Sequence, residues 1–194
     1  FKKYREDLHY AFVEYAGSNI THWDFSEEPI NNKDKVNTSG KDPQIKAKRI
    51  NQNIFLIVDR DSKENGTIPK AKVERQEELK KILPESQFYV TEGKEIENIL
   101  TVENINNVLK LYGETKSISG LIEDYKDMNI GKFIDDKLGS ERVRNVSYAE
   151  NSTIRDKTKF CRKAVKSITS YEDLSKEAKD LCVKLYKVIE RNNK

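Results

Sequence analysis

Cysteine is nearly missing: Cys161 and Cys182 are the only two in 194 residues. That excludes a disulfide framework, and neither has a Cys or His neighbour at zinc-ligand spacing. Histidine is as scarce, with His9 and His22 alone, and neither is spaced from a second candidate ligand as a metal motif requires. His22, next to Trp23, reads as a packing or loop-capping residue. No apolar run approaches the roughly 20 residues of a membrane span, so no membrane partner is expected. A signal-peptide core is also lacking, which makes the cytoplasm the expected compartment. The first residue is Phe1 rather than Met, so the chain is expected to be part of something longer. There is no P-loop, G-x-G-x-x-G, G-x-S-x-G or H-E-x-x-H, so the chain itself should carry no ATPase. Charge of one sign is not in large excess either: Lys and Arg number 36, Asp and Glu 33. A surplus of three does not argue for nucleic acid, and the placement of the charges has to decide.

What is present suits one domain with an appendage. Tyr10–Glu14 reads as a short strand, left by a turn containing Gly17 and Asn19, so Glu14 sits at a strand end. Residues 27–48 are rich in Asn, Lys and Asp, with Pro29, Gly40 and Pro43, and read as a long connection closing in a short helix. Ile54–Val58 is a run of five apolar residues, the pattern of a strand buried on both faces. Asp59 and Asp61 follow it directly. Thr67, Ile68 and Pro69 then open a helix expected to end near Leu83, before Pro84. Gln87–Thr91 is a third strand, and helical spacing resumes from Glu95 to Leu100. This βα alternation predicts an α/β fold, a small parallel sheet flanked by helices over residues 1–112. Residues 113–194 are expected to complete the same domain as a C-terminal helical extension, with a short strand between Arg142 and Tyr148.

The last two helices show their faces. Lys157, Phe160, Cys161, Ala164, Val165 and Ile168 form one stripe, and Lys157 is the charge that heads it. Leu174, Ala178, Leu181, Cys182, Leu185, Val188 and Ile189 form the second. Both cysteines lie on these stripes and read as small buried hydrophobes.

Ligands of an open α/β sheet bind beyond the carboxyl ends of its strands. Glu14, Asp59 and Asp61 occupy such positions, and three carboxylates there repel one another unless a cation neutralises them. Oxygen-only ligands favour Mg²⁺ or Mn²⁺, and one or two such ions can serve phosphodiester displacement. The plain alternative is that acids at strand ends accept turn hydrogen bonds. An EF-hand starting at Asp59 fails, because its sixth and twelfth positions are Glu64 and Lys70. A D-x-D phosphatase of the haloacid-dehalogenase type remains as a rival, although Lys63 stands where that family has Thr or Val. Glu97 lies in a second acidic cluster that also fits an ordinary helix start. Lys157 can stabilise charge on a phosphate, or snorkel as a first-turn lysine. Arg155, Lys159, Arg162 and Lys163, with Lys166 and upstream Arg142 and Arg144, form the densest basic segment and suit a nucleic-acid backbone.

In order, the stretches Val13–Trp23, Ile57–Asp61, Gly93–Asn98 and Asp156–Lys163 resemble the blocks of a Toprim domain fused behind an ABC-type ATPase, as in the OLD-family nucleases. The resemblance spans about residues 8–189. It implies a Toprim-like fold and a Mg²⁺- or Mn²⁺-dependent endonuclease acting on DNA, in a setting such as phage defence. The usual partner is an N-terminal ATPase domain, absent from this chain, through which the full protein would form a homo-oligomer. On this resemblance Glu14, Asp59 and Asp61 would be catalytic metal ligands, Glu97 a further ligand or supporting acid, and Lys157 the catalytic lysine. The first block departs from the family pattern: Gly17 is displaced and the second carboxylate is lacking. Either Ser18 or Asn19 stands in for it, or one metal site is impaired. The implied alternative is a catalytically silent Toprim-like module that regulates an ATPase.

Overall fold

The computed structural model describes residues 3–13, 23–25, 45–47, 53–151 and 153–193. Glu14, Ser18, Asn19 and His22 lie outside the described residues, as does most of the 27–48 connection. The architecture is mixed α/β. Its strands are β1 (Trp23–Asp24), β2 (Ile45–Lys46), β3 (Leu56–Val58), β4 (Phe88–Val90), β5 (Ala149–Glu150) and β6 (Thr153–Ile154). Its helices are α1 (Lys70–Ile82), α2 (Val102–Leu111), α3 (Ile130–Leu138), α4 (Lys157–Ser167) and α5 (Lys176–Asn192). Among the described residues the strands pair as three two-stranded sheets, β1 with β2 in parallel, β3 with β4, and β5 with β6 as an antiparallel hairpin.

The chain divides into two compact units interleaved in sequence. One comprises residues 1–56, 75–89 and 184–194, the other 57–74 and 90–183. In the first, β1 and β2 pair Trp23 with Ile45. Leu79 and Leu83 are buried there, one helical turn apart. Residues 11–13 are not a strand; Glu6 and Tyr10 make an isolated bridge, and His9 accepts a hydrogen bond from the Arg5 N–H at 2.9 Å while meeting Tyr4 edge-on. His9 therefore plays a packing part.

The second unit holds the main core, built from Ile105, Val108, Leu109, Ile118, Tyr125, Ile130, Phe133, Ile134, Leu138, Tyr148, Ile154, Phe160 and Ala164. Segments on both sides of Tyr112 share it. Helix α2 starts at Thr101, whose hydroxyl accepts from the Asn104 N–H at 3.1 Å while the Asn104 side chain answers the Thr101 N–H, a reciprocal cap. Ile105, Val108 and Leu109 follow at helical spacing and turn inward against α4. Helix α3 is capped by Asn129, which accepts from Gly131 and Lys132 N–H. Gly131 is required by close packing, since a side chain there would collide with the Tyr148 carbonyl.

Several expectations shift. Helical spacing from Glu95 becomes a 3₁₀ turn at Ile96–Ile99, and residues 142–148, expected to hold a short strand, are not one; the β5–β6 hairpin follows them. On α4, Phe160 and Ala164 are buried but Val165 is 70% exposed, so the apolar stripe is narrower than the spacing predicts. Cys161 is half-buried, whereas Cys182 is exposed on α5 and is not the buried hydrophobe expected. The stripe of α5 is buried at Ala178 and Leu181 only.

Candidate functional site

The site begins where β3 ends. Val58 accepts a hydrogen bond from the Thr91 N–H at 3.0 Å, and the Thr91 hydroxyl in turn accepts from the Arg60 N–H at 2.9 Å. The two strand exits are thereby tied together, and the Asp61 N–H reaches the Lys94 carbonyl at 2.8 Å. Buried Asn98 fixes the second exit by donating to the Tyr125 and Met128 carbonyls at 2.7 and 3.0 Å and accepting from the Glu95 N–H. Gly93 makes this possible: a Cβ there would sit 2.7 Å from the Asn98 Cβ and 3.1 Å from the Lys126 carbonyl. Gly93 and Asn98 thus aim the intervening Glu95 and Glu97.

Asp59 and Asp61 are directed to different partners. The Asp59 carboxylate accepts from the Ile96 N–H at 2.9 Å. Burial raises its pKa to about 6; the charges of Glu97 and Asp61 add to the rise, while Lys157 and the Ile96 N–H oppose it. Asp61 has a left-handed backbone, φ 53°, and pairs with Lys72 of α1 at 2.6 Å.

Lys157, in the first turn of α4, lies 3.2 Å from Glu95 and 2.9 Å from Glu97. Burial alone would depress its pKa, but Glu97, Glu95 and Asp59 together hold it well above the ordinary lysine range. The Glu97 side chain is 1% exposed. One of its oxygens meets Lys157 and the Cys161 thiol, the latter at 3.7 Å, and the other is buried with no hydrogen-bond partner. Burial and the Glu97 charge push the Cys161 thiol up to about 12, which leaves it protonated and unreactive at neutral pH. Glu95 also accepts from the Thr153 hydroxyl at 2.7 Å.

The structure therefore brings Asp59, Glu97 and Lys157 together from segments far apart in sequence. Glu95 and Thr153 join them. Glu95 had a signal, since it lies in the same Gly93–Asn98 block; Thr153 had none, because only the β5–β6 hairpin delivers it.

The donors suit a hard divalent cation in chemistry: all are carboxylate oxygens, and the unpartnered Glu97 oxygen is a buried acceptor without a donor. Among the described residues, however, no three His, Cys, Asp or Glu are arranged around one point, because the carboxylates are drawn to Lys72, Lys157 and the Ile96 N–H.

The basic residues of α4 separate into two sets. Arg155, just before the helix, is occupied by Glu150 at 2.8 Å and the Ser147 carbonyl at 2.9 Å. Arg142 pairs with Asp135, and Arg144 lies over the rings of Tyr112 and Tyr148 and reaches Asp156 at 3.4 Å. Those three arginines hold the fold. Lys159, Arg162, Lys163 and Lys166, with Thr158, line a depression of about 400 Å³, but the Lys163 ammonium is itself taken by the Leu111 carbonyl at 3.1 Å and the Tyr112 ring. At 3.6 residues per turn these four cations lie roughly 140–240° around α4 from Lys157. The basic surface and the lysine of the acidic cluster thus occupy opposite faces of one helix.

No protein-family model, curated protein or solved structure matches the chain. Among the described residues no helix is long and apolar enough to cross a membrane.

Proposed function

We propose that this chain is a Toprim-like, metal-dependent nuclease module of the OLD type, hydrolysing phosphodiester bonds in DNA. The observation that carries the reading is Lys157. It stands nearly 100 residues beyond Asp59, yet its ammonium lies against Glu95 and Glu97 and within the electrostatic reach of Asp59. A lysine among strand-end carboxylates is the donor and acceptor set that phosphoryl chemistry uses. In this reading Asp59, Asp61 and Glu97 hold Mg²⁺ or Mn²⁺, as would Glu14, which lies outside the described residues. The ion, when bound, supplies Lewis-acid polarisation and a nucleophilic water. The chain's own groups do the rest. Lys157 carries a fixed positive charge for a phosphate oxygen, and its raised pKa keeps it protonated throughout. The Ile96 N–H, donating to one Asp59 oxygen at 2.9 Å, orients that carboxylate at the strand exit, where it would be a ligand of the ion. Lys159, Arg162 and Lys166 hold the DNA backbone away from the reacting bond, without reading bases. An ATPase partner domain and oligomerisation through it belong to this proposal as well.

A second reading has its own support. Lys72 and Lys157 already neutralise part of the acidic cluster, as in a silent module that regulates a partner ATPase. Cleavage of supercoiled plasmid with Mg²⁺ or Mn²⁺ separates the two, beside Asp59→Asn/Asp61→Asn and EDTA controls. Metal-dependent cutting that the double variant loses is the expected result. A folded wild-type chain that neither binds Mn²⁺ nor cuts DNA would overturn the nuclease reading in favour of the silent module.

A further inference from the structure

The Asp61–Lys72 pair has a meaning that depends on the metal-site reading above. Asp61 has a left-handed backbone and an N–H bond to the Lys94 carbonyl, so the loop fixes where its side chain starts, and the carboxylate at its end is held by its partner. Lys72 comes to it from the first turn of α1, at 2.6 Å. The two side chains are 47% and 37% exposed, so dissolved ions have access to both. Lys70, two residues earlier, faces elsewhere and pairs with Glu74 at 3.6 Å. The local charge on Asp61 is therefore cancelled by one lysine and not by the general field of a basic helix.

We propose that Lys72 is a resident counter-cation of Asp61, which a divalent ion must displace in order to use that carboxylate. An ammonium and a metal ion compete for the same oxygens, and whatever the pair contributes is subtracted from the affinity for the metal. Lys72 is thus a positioning residue: it holds Asp61 in place in the metal-free state and sets the threshold for loading.

Calorimetric titration with Mn²⁺ tests this on the full chain at low ionic strength, with Lys72→Met, Lys72→Arg and Lys70→Met. Lys72→Met should bind Mn²⁺ about 2- to 5-fold more tightly, the range set by a part-exposed ion pair. Lys72→Arg and Lys70→Met should bind as wild type, and the gain should shrink as salt rises. Circular-dichroism melting shows that each variant is folded. An unchanged or weaker affinity in folded Lys72→Met would overturn the role of Lys72 alone. An equal gain in Lys70→Met would overturn it too, because the effect would then be one of net charge. A folded wild type and Lys72→Met that both fail to bind Mn²⁺ would remove the metal-site reading and this inference together.

Discussion

Replacing Lys157 with Met isolates the most consequential contact in the site. The Glu97 carboxylate is 1% exposed and one of its oxygens has no hydrogen-bond partner, so its charge depends on Lys157 at 2.9 Å. Without Lys157, only the weak Cys161 thiol contact would remain on that side chain. Removing one member of a fully buried ion pair costs about 3–5 kcal/mol, because the other charge is left uncompensated. Lys157 is itself 41% exposed, so water can enter where its side chain was. The expected loss is therefore about 2–4 kcal/mol, less than the fully buried case. With a urea dependence of roughly 2–3 kcal/mol per molar, the midpoint should fall by about 1 M. Far-UV circular dichroism at pH 7 without metal is the assay. Glu97→Gln, which removes the stranded charge, should recover more than half of the loss when combined with Lys157→Met. A Lys157→Met variant within about 0.5 kcal/mol of wild type would refute the argument. So would a double variant showing simply the sum of the two single losses.

Three further outcomes are expected. The Asp59 pKa, raised to about 6, means that the folded metal-free protein holds this proton more tightly than the unfolded chain. Its stabilising contribution is present below the unfolded carboxyl value of about 3.9 and is lost as pH rises through 6. Asp59→Asn should therefore stabilise the metal-free protein at pH 8 by about 1–2 kcal/mol while abolishing cleavage, and thermal melts at pH 4 and pH 8 would show whether the gain is confined to the higher pH. Gly93→Ala should cost about 1–3 kcal/mol through its contact with Asn98 and should weaken Mn²⁺ binding in protein that still melts cooperatively; an affinity equal to wild type would mean that Gly93 does not aim Glu95 and Glu97. Alanine at Lys159, Arg162 and Lys166 should weaken DNA binding and reduce the slope of log affinity against log salt by about 2–3; fluorescence anisotropy showing an unchanged slope would remove this face from the interface.

The local pattern of the amino acids was enough to locate β3, α1, β4 and α4, because an apolar run, a Pro-opened helix and a 3.6-residue stripe are properties of neighbouring residues. The same logic placed Asp59 and Asp61 at a strand exit and Lys157 at the head of a helix. It did not find α2 or α3, whose polar Asn and Asp content hides periodicity that the core of the second unit reveals through Ile105, Val108, Phe133 and Ile134. It also placed Val165 and Cys182 on stripes that the packing does not cover, since the width of a buried face depends on the neighbouring element and not on the helix alone.

Charge was the part least visible in advance. Arg155 and Lys159 look alike in a list of basic residues, but the β5–β6 hairpin and Glu150 take Arg155 while Lys159 stays on the open face of α4. Residue type and spacing by themselves determined which groups carry charge, where β3, β4, α1 and α4 lie, and that Asp59 and Asp61 follow a strand. Tertiary structure alone decided which charges meet: Asp61 with Lys72, Glu95 and Glu97 with Lys157, Glu95 with Thr153. Such pairings join residues that are not neighbours in sequence, and their strength depends on burial and distance, quantities that exist only once the chain has folded.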